Sequence, residues 1–372
     1  TYLCELKNTD SMNRGALPSK PQKNRLLELD ALRGIAAVSV MIFHYSIGQN
    51  AERLGWEFRY GVTGVDLFFV ISGFVITLSI QKIQKWQDFA VFRFARLYPT
   101  FWACVLITTF FILLYEPTSI SFSQFLANLT MFPVYFGIEN LDQVYWTLLV
   151  EMVFYLWILA VWLFGKMRQI VTIGLLFLVA VVLFHALGTR IPVVYSFLTW
   201  KVQFLNHFPL FYTGILFYQL KFKTFDWRYL VLIGFGMATA FYLHDKGGRT
   251  MYHTSALEHN LLIALYHLLF LLFVLGKLTF LVNPIFLFLG KISYSLYLLH
   301  QYIGLHLIET LYQNLGLNIY LAVILTIAVI IGLSYLVTVY VEDPAILRIK
   351  NWYRARQGRR VDEPDAARSA LP

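Results

Sequence analysis

Among the side chains able to exchange protons inside long apolar runs, His44, Asp66 and Glu151 stand out. An ionisable group in the apolar stretch of a membrane helix costs about 3 kcal/mol or more, so each one marks a place where function offsets the cost. The first run begins at the face of the membrane opposite to the one where the second and fourth begin. Counting from those ends, His44 lies beyond mid-membrane and Asp66 and Glu151 lie at a similar depth, so the three are expected in one layer. A histidine held by a carboxylate is a good general base near neutral pH, because the acid fixes the tautomer and stabilises the imidazolium formed on proton transfer. His44 is the best candidate for that base. The competing reading is a buried polar knot that only locks helices together.

Further groups extend the pattern. Arg33 precedes His44 by eleven residues, almost three helical turns, so the two share a face about 16 Å apart. Arg93 and Arg96 are three apart and point the same way from a helical turn. Two guanidiniums so placed can clamp a phosphate through their planar forks, although anchoring at the cytoplasmic surface would also explain a basic loop. Ser293, Tyr297 and His300 recur at i, i+4 and i+7 and share one helix face, where they either position a substrate or pack. His185, His244, His259, His267 and His306 lie near run ends or lack acidic neighbours in sequence, and read as interfacial or structural. Cys4 and Cys104 have no metal-ligand spacing, so neither a metal site nor a disulfide is expected.

The elements that must carry these residues are membrane helices. Of 372 residues, 58% are hydrophobic and 14% charged, with a mean hydropathy of +0.62; soluble domains carry about 25% charged residues. Ten apolar runs, at 31–48, 62–80, 98–115, 145–164, 170–187, 204–220, 229–244, 259–276, 291–310 and 318–341, suit the roughly 20 residues that a spanning helix needs. A weaker run at 125–137, broken by Pro133, is expected to be re-entrant or interfacial. With the N-terminus in the cytoplasm, 24 of the 30 Lys and Arg fall on the inner side, the exceptions being Arg53, Arg59, Arg190, Lys201, Lys246 and Arg249. Both termini are therefore expected to be cytoplasmic. The net charge of +9 then reports orientation rather than nucleic-acid binding. The fold class is all-α, a polytopic bundle of about ten transmembrane helices. It divides into an N-terminal tail (1–28), a membrane domain (29–344) and a basic C-terminal tail (345–372) that reads as a solvated anchor at the membrane surface. A polar stretch of about thirty residues before the first run leaves no sign of a cleavable leader.

Five segments in order resemble acyltransferase family 3, the multi-span acyltransferases that modify hydroxyl groups on glycans and related acceptors. They are Leu29-Asp-Ala-Leu-Arg-Gly-Ile-Ala-Ala37 leading to His44, the run Gly64-Val-Asp-Leu-Phe-Phe-Val-Ile-Ser-Gly-Phe74, Arg93 and Arg96 followed by Pro99, Trp146-Thr-Leu-Leu-Val-Glu151, and Ile292-Ser-Tyr-Ser-Leu-Tyr-Leu-Leu-His300. The resemblance covers roughly residues 25–345 and implies transfer of an acyl group, usually acetyl, from cytosolic acetyl-CoA to an acceptor at the outer face of a bacterial cytoplasmic (inner) membrane. It implies no bound cofactor, since acyl-CoA is the donor substrate; the other partners are membrane lipid and a carbohydrate or other hydroxyl acceptor. Under it Arg33, Arg93 and Arg96 hold the CoA phosphates, and His44 takes the acceptor proton with Asp66 or Glu151 orienting the ring. Ser72, Trp146, Tyr297 and His300 position substrate, and a route through an acyl-enzyme on Ser72, Tyr297 or Ser293 stays open. The chain would be a stand-alone member without a fused extracytoplasmic hydrolase-like domain. The rival reading is a proton-coupled transporter, which has no need of the Arg93 and Arg96 pair. A non-catalytic scaffold would scatter its polar residues in depth.

Overall fold

The structure, a computed structural model, describes residues 26–223, 225–247 and 249–358. Among the described residues every regular element is helical, as lipid demands of a chain whose backbone must satisfy its own hydrogen bonds. Among the described residues ten helices have 16 residues or more: α1 Leu27–Tyr45, α2 Gly64–Ile80, α3 Trp86–Tyr115, α4 Trp146–Leu163, α5 Ile170–Ala186, α6 Phe204–Phe222, α7 Trp227–Leu243, α8 Ala256–Val274, α9 Pro284–Leu299 and α10 Ile319–Val337. Each falls on one of the ten apolar runs. With the turns that extend them, α2, α3, α4, α5, α8 and α10 give six helices long and apolar enough to cross a membrane, while α7 and α9 are apolar but shorter. The remaining two carry more polar residues: Glu28, Asp30, Arg33 and His44 on α1, and Asn206, His207, Gln219 and Lys221 on α6. Helix α6 is buried without a break from Asn206 to Leu220, so its polar groups face protein.

Two close helix crossings set the centre of the bundle. A Cβ on Gly290 of α9 would fall 2.1 Å from the Asp30 carbonyl oxygen of α1, and one on Gly34 would fall 2.6 Å from the Gly290 nitrogen. Gly73 of α2 and Gly214 of α6 make the same kind of crossing, 2.2 Å from the carbonyl oxygens of Phe211 and Val70. Small residues let these backbones touch, which suits association in lipid, where packing rather than water exclusion drives helices together.

Two segments differ from the sequence reading, and a third agrees with it. The stretch 81–97, read as a cytoplasmic loop, is helical from Trp86, because the Asp88 carboxylate accepts the backbone N–H groups of Gln84 and Lys85 at 3.3 and 3.2 Å and caps the start of α3. Helix α3 then runs 30 residues through Pro99, about 45 Å. The basic segment after Pro344 is also helical, Asp343–Arg356, joined to α10 by a π-helical turn, Thr338–Glu342. The Tyr353 hydroxyl in this helix donates to Asp88 at 3.0 Å, tying it to the start of α3. The run at 125–137 is two short pieces, Phe122–Asn128 and the 3-10 turn Pro133–Phe136. Protein satisfies its broken backbone: the Asn128 amide donates to the carbonyls of Gln124 and Glu139 and accepts the Leu141 N–H, while Trp102 and Tyr98 of α3 donate to the carbonyls of Leu129 and Thr130.

Candidate functional site

Two cavities meet inside the bundle. One, about 100 Å³, gathers Arg33 of α1, Ser72 of α2, Arg93 and Arg96 of α3 and Glu151 of α4, with Ser293 of α9 on its wall. The other, about 290 Å³, holds His44 of α1, Asp66 of α2, Trp146 of α4 and His207 of α6, with Arg249 and His253 from the connection between α7 and α8. Val65 and Tyr297 line both, so they form the partition between the arginine cavity and the His44 cavity. The Tyr297 hydroxyl lies 3.1 Å from the Thr147 hydroxyl and 3.4 Å from the Val144 carbonyl, which hold the ring across the junction.

His44 is half-buried. Its ring faces that of His300 at 5.2 Å between centroids and that of Phe43 at 4.8 Å. No carboxylate among the described residues hydrogen-bonds to it, so the expected pairing of His44 with Asp66 or Glu151 is not made. His300 takes that place beside the ring. Its Nδ1 lies 2.8 Å from the Tyr297 carbonyl; a carbonyl only accepts, so that nitrogen carries the proton. The Nε2 of His300 is buried without a hydrogen-bond partner.

The two carboxylates have other neighbours. Asp66 lines the His44 cavity, yet its oxygens lie 3.8 Å from His207 Nδ1 and 3.5 Å from His259 Nε2. Glu151 accepts from the Ser72 hydroxyl at 2.7 Å and the Tyr155 hydroxyl at 2.6 Å. Ser72 is six residues along α2 from Asp66, about 9 Å at 1.5 Å per residue, so the two acids occupy different layers. Depth counted along each helix therefore did not transfer from one helix to another. His207 was not singled out and His259 was read as interfacial or structural, because their acidic neighbour is distant in the chain and only the fold brings it to them. Beyond His259 stands His244, 4.4 Å away between ring centroids.

The three arginines line one cavity but take different partners. Arg96 makes an ion pair with Glu342, which is 1% exposed and also lies 3.5 Å from the Ser295 hydroxyl. Arg93 sets its guanidinium near the rings of Tyr155 and Phe89, at 5.9 and 6.0 Å, and Arg33 lies 3.7 Å from Asp30. Glu342 was missed because an acid at the end of an apolar run looks like a boundary. In the structure it closes a π-helical turn, a distortion frequent at functional sites. Ser293 donates to the Gly290 carbonyl at 2.8 Å. Trp146 lies under the Arg249 guanidinium at 4.9 Å and beside the His207 ring at 5.4 Å. Burial pulls Arg249 below its ordinary value, and it pulls His253 down against the charge of Glu57.

The sequence profile of the family described as an acyltransferase domain, acyltransferase family 3, matches residues 26–342. The chain belongs to acyltransferase family 3. This member is a multi-pass membrane protein, with its two cavities inside the matched region. It is similar to the peptidoglycan O-acetyltransferase OatA of Listeria monocytogenes, 28% identical over 118 residues, 30% of this chain and 16% of that protein. It is 38% identical over 97 residues to the O-acetyltransferase OatA of Staphylococcus aureus, 24% of this chain and 14% of that protein. It is also 38% identical over 63 residues to the exopolysaccharide production protein ExoZ of Rhizobium meliloti, 17% of this chain and 18% of that protein. The matches thus span less than a fifth of the length of these relatives. No solved structure matches the chain.

Proposed function

We propose that this family member is an integral-membrane O-acyltransferase that moves an acyl group, acetyl in the first instance, from cytosolic acyl-CoA to a hydroxyl of an exported or lipid-linked carbohydrate at the bacterial cytoplasmic membrane. One observation carries the reading: a cavity with three arginines abuts a cavity with a half-buried histidine, and Tyr297 and Val65 form the wall between them. Arginine forks suit the phosphates of CoA, and the Lys and Arg distribution supports a cytoplasmic position for that end. The pantetheine arm would pass Tyr297 and bring the thioester carbonyl toward His44. The acceptor hydroxyl enters the other cavity, where the relatives' names, peptidoglycan O-acetyltransferase and exopolysaccharide production protein, support a glycan.

In the transfer, His44 accepts the hydroxyl proton as the oxygen attacks the thioester carbonyl; the C–O bond forms, the C–S bond breaks, and the CoA thiolate leaves and recovers the proton from the imidazolium. His300, the imidazole beside the base, positions its ring. Glu151, bonded to Ser72 and Tyr155, and Asp66, set between two histidines, shape the two cavity walls rather than orient His44. Arg96 comes to a phosphate only by sharing or leaving Glu342.

The test uses the full chain in lipid nanodiscs with acetyl-CoA and bacterial exopolysaccharide oligomers, following thiol release and the mass of one added acetyl group. His44→Ala should lower turnover by about 10²- to 10⁴-fold, the usual worth of a positioned base, with an unchanged melting curve. Turnover near the wild-type level in His44→Ala removes the proposed base.

A further inference from the structure

Arg249 stands apart from the arginines in neighbouring loops. It opens the 3-10 turn Arg249–Tyr252 between α7 and α8. Arg53 and Arg59 each have a carboxylate, Glu309 at 2.6 Å and Glu258 at 2.5 Å. Arg249 is partly buried and lines the His44 cavity, and no carboxylate among the described residues pairs with it. Its guanidinium lies over the Trp146 ring at 4.9 Å. Cation–π stacking of this kind uses none of the five guanidinium N–H donors. The acid of the same cavity, Asp66, is flanked by His207 and His259.

A guanidinium withdrawn from water without a counter-ion is costly, and the cost is offset when an anion arrives in the cavity. The planar fork matches a carboxylate or a phosphate in bidentate fashion. Trp146 braces the cation from beneath, and His44 lies in the wall of the same cavity.

Building on the acyltransferase reading, we infer that the acceptor is an anionic sugar, and that Arg249 determines specificity by holding its carboxylate or phosphate while a hydroxyl of the same molecule is presented to His44. The neutral sugars of a mixed glycan would then be poor acceptors.

The inference is tested by equilibrium binding to the full chain in nanodiscs, with three probes: a glucuronic-acid-terminated disaccharide, its carboxyl-reduced glucose counterpart, and glucose 1-phosphate. Wild-type protein should bind at least one anionic probe about ten-fold more tightly than the neutral one, as expected of a charge-assisted pair. Arg249→Gln should bring all three to the level of the neutral probe, and Arg249→Lys should retain part of the preference while losing the fork. Tighter binding of the glucuronide assigns the anion as a carboxylate, and tighter binding of the sugar phosphate assigns it as a phosphate. Equal affinities in the wild type, no binding of any probe, or an equal loss for charged and neutral probes in both variants overturns the inference; the last result would give Arg249 a structural role. Thioester consumption with the oligomer mixture, and its dependence on His44, is measured on the same preparation. Loss of the anion preference with turnover intact defeats this inference alone, whereas anion binding without turnover defeats the acyltransferase reading alone.

Discussion

Arg96 and Glu342 carry the sharpest prediction at the scale of single residues. Their charges meet inside the bundle, and Glu342 has almost no exposure. Removing one partner leaves the other charge buried and uncompensated, at a cost of about 3 to 5 kcal/mol, whereas replacing both with apolar residues of similar size is often near neutral. Glu342→Ala should therefore lower the melting temperature in detergent sharply, and the double variant Arg96→Met with Glu342→Leu should recover most of the loss. A wild-type melting curve for Glu342→Ala would show that the pair contributes no net stability. Sequence reasoning found Arg96 and not Glu342 for a physical reason. The arginine belongs to a short pattern with Arg93, but its partner comes from the far end of the chain through a π-helical turn that shifts the register of the last helix. His44 and Tyr297 were legible because a polar group in an apolar run is conspicuous by itself. The neighbours of Asp66 and Glu151 were not, because neighbours across helices depend on the tilt and offset of each pair.

The positions of the long helices were legible from apolar runs alone, since lipid leaves the backbone little choice but to form helix along each run. The ends were less so. Polar caps and ties decide them, as at Asp88 for α3 and at Asp142 before α4. Asp142 is buried, and its carboxylate accepts the backbone N–H groups of Val144 at 3.1 Å and Tyr302 at 3.0 Å, joining the start of α4 to the segment that follows His300. Burial pushes this carboxyl from 3.8 up to about 6, against the pull of its two N–H donors. Because the folded value is the higher one, the group's contribution is full below about pH 4 and is lost as pH rises through about 6, a change of up to about 3 kcal/mol. The wild-type melting temperature should therefore carry a falling component across that window. Asp142→Asn keeps an acceptor oxygen and cannot ionise, so the difference between the two melting curves should vary with pH between 4 and 6 and level off above. A difference that stays constant from pH 4 to 7 would remove Asp142 as a source of pH dependence.

On the proposed reading, the whole molecule has to let a thioester and a hydroxyl meet across a membrane without admitting water to the thioester. Tyr297 is the side chain placed to do that, because with Val65 it is common to both cavity walls and Thr147 and Val144 hold its hydroxyl. Excluding water guards a reactive acyl group against hydrolysis. If the partition has this role, acetyl-CoA supplied without any acceptor should be nearly inert in the wild-type protein. Tyr297→Ala should raise acceptor-independent thiol release about ten-fold while lowering transfer to glycan, since the arm loses its guide as the water barrier opens. Tyr297→Phe keeps the ring and gives up only the hydroxyl contacts, so its hydrolysis should stay close to wild type. The measurement is thiol release from sealed proteoliposomes with acetyl-CoA on one side and acceptor added to, or withheld from, the other. If Tyr297→Ala hydrolyses acetyl-CoA no faster than wild type, the barrier lies elsewhere. Should transfer also continue at full rate in that variant, the two cavities do not form one path, and the thioester reaches its acceptor by a route that bypasses the α9 face altogether.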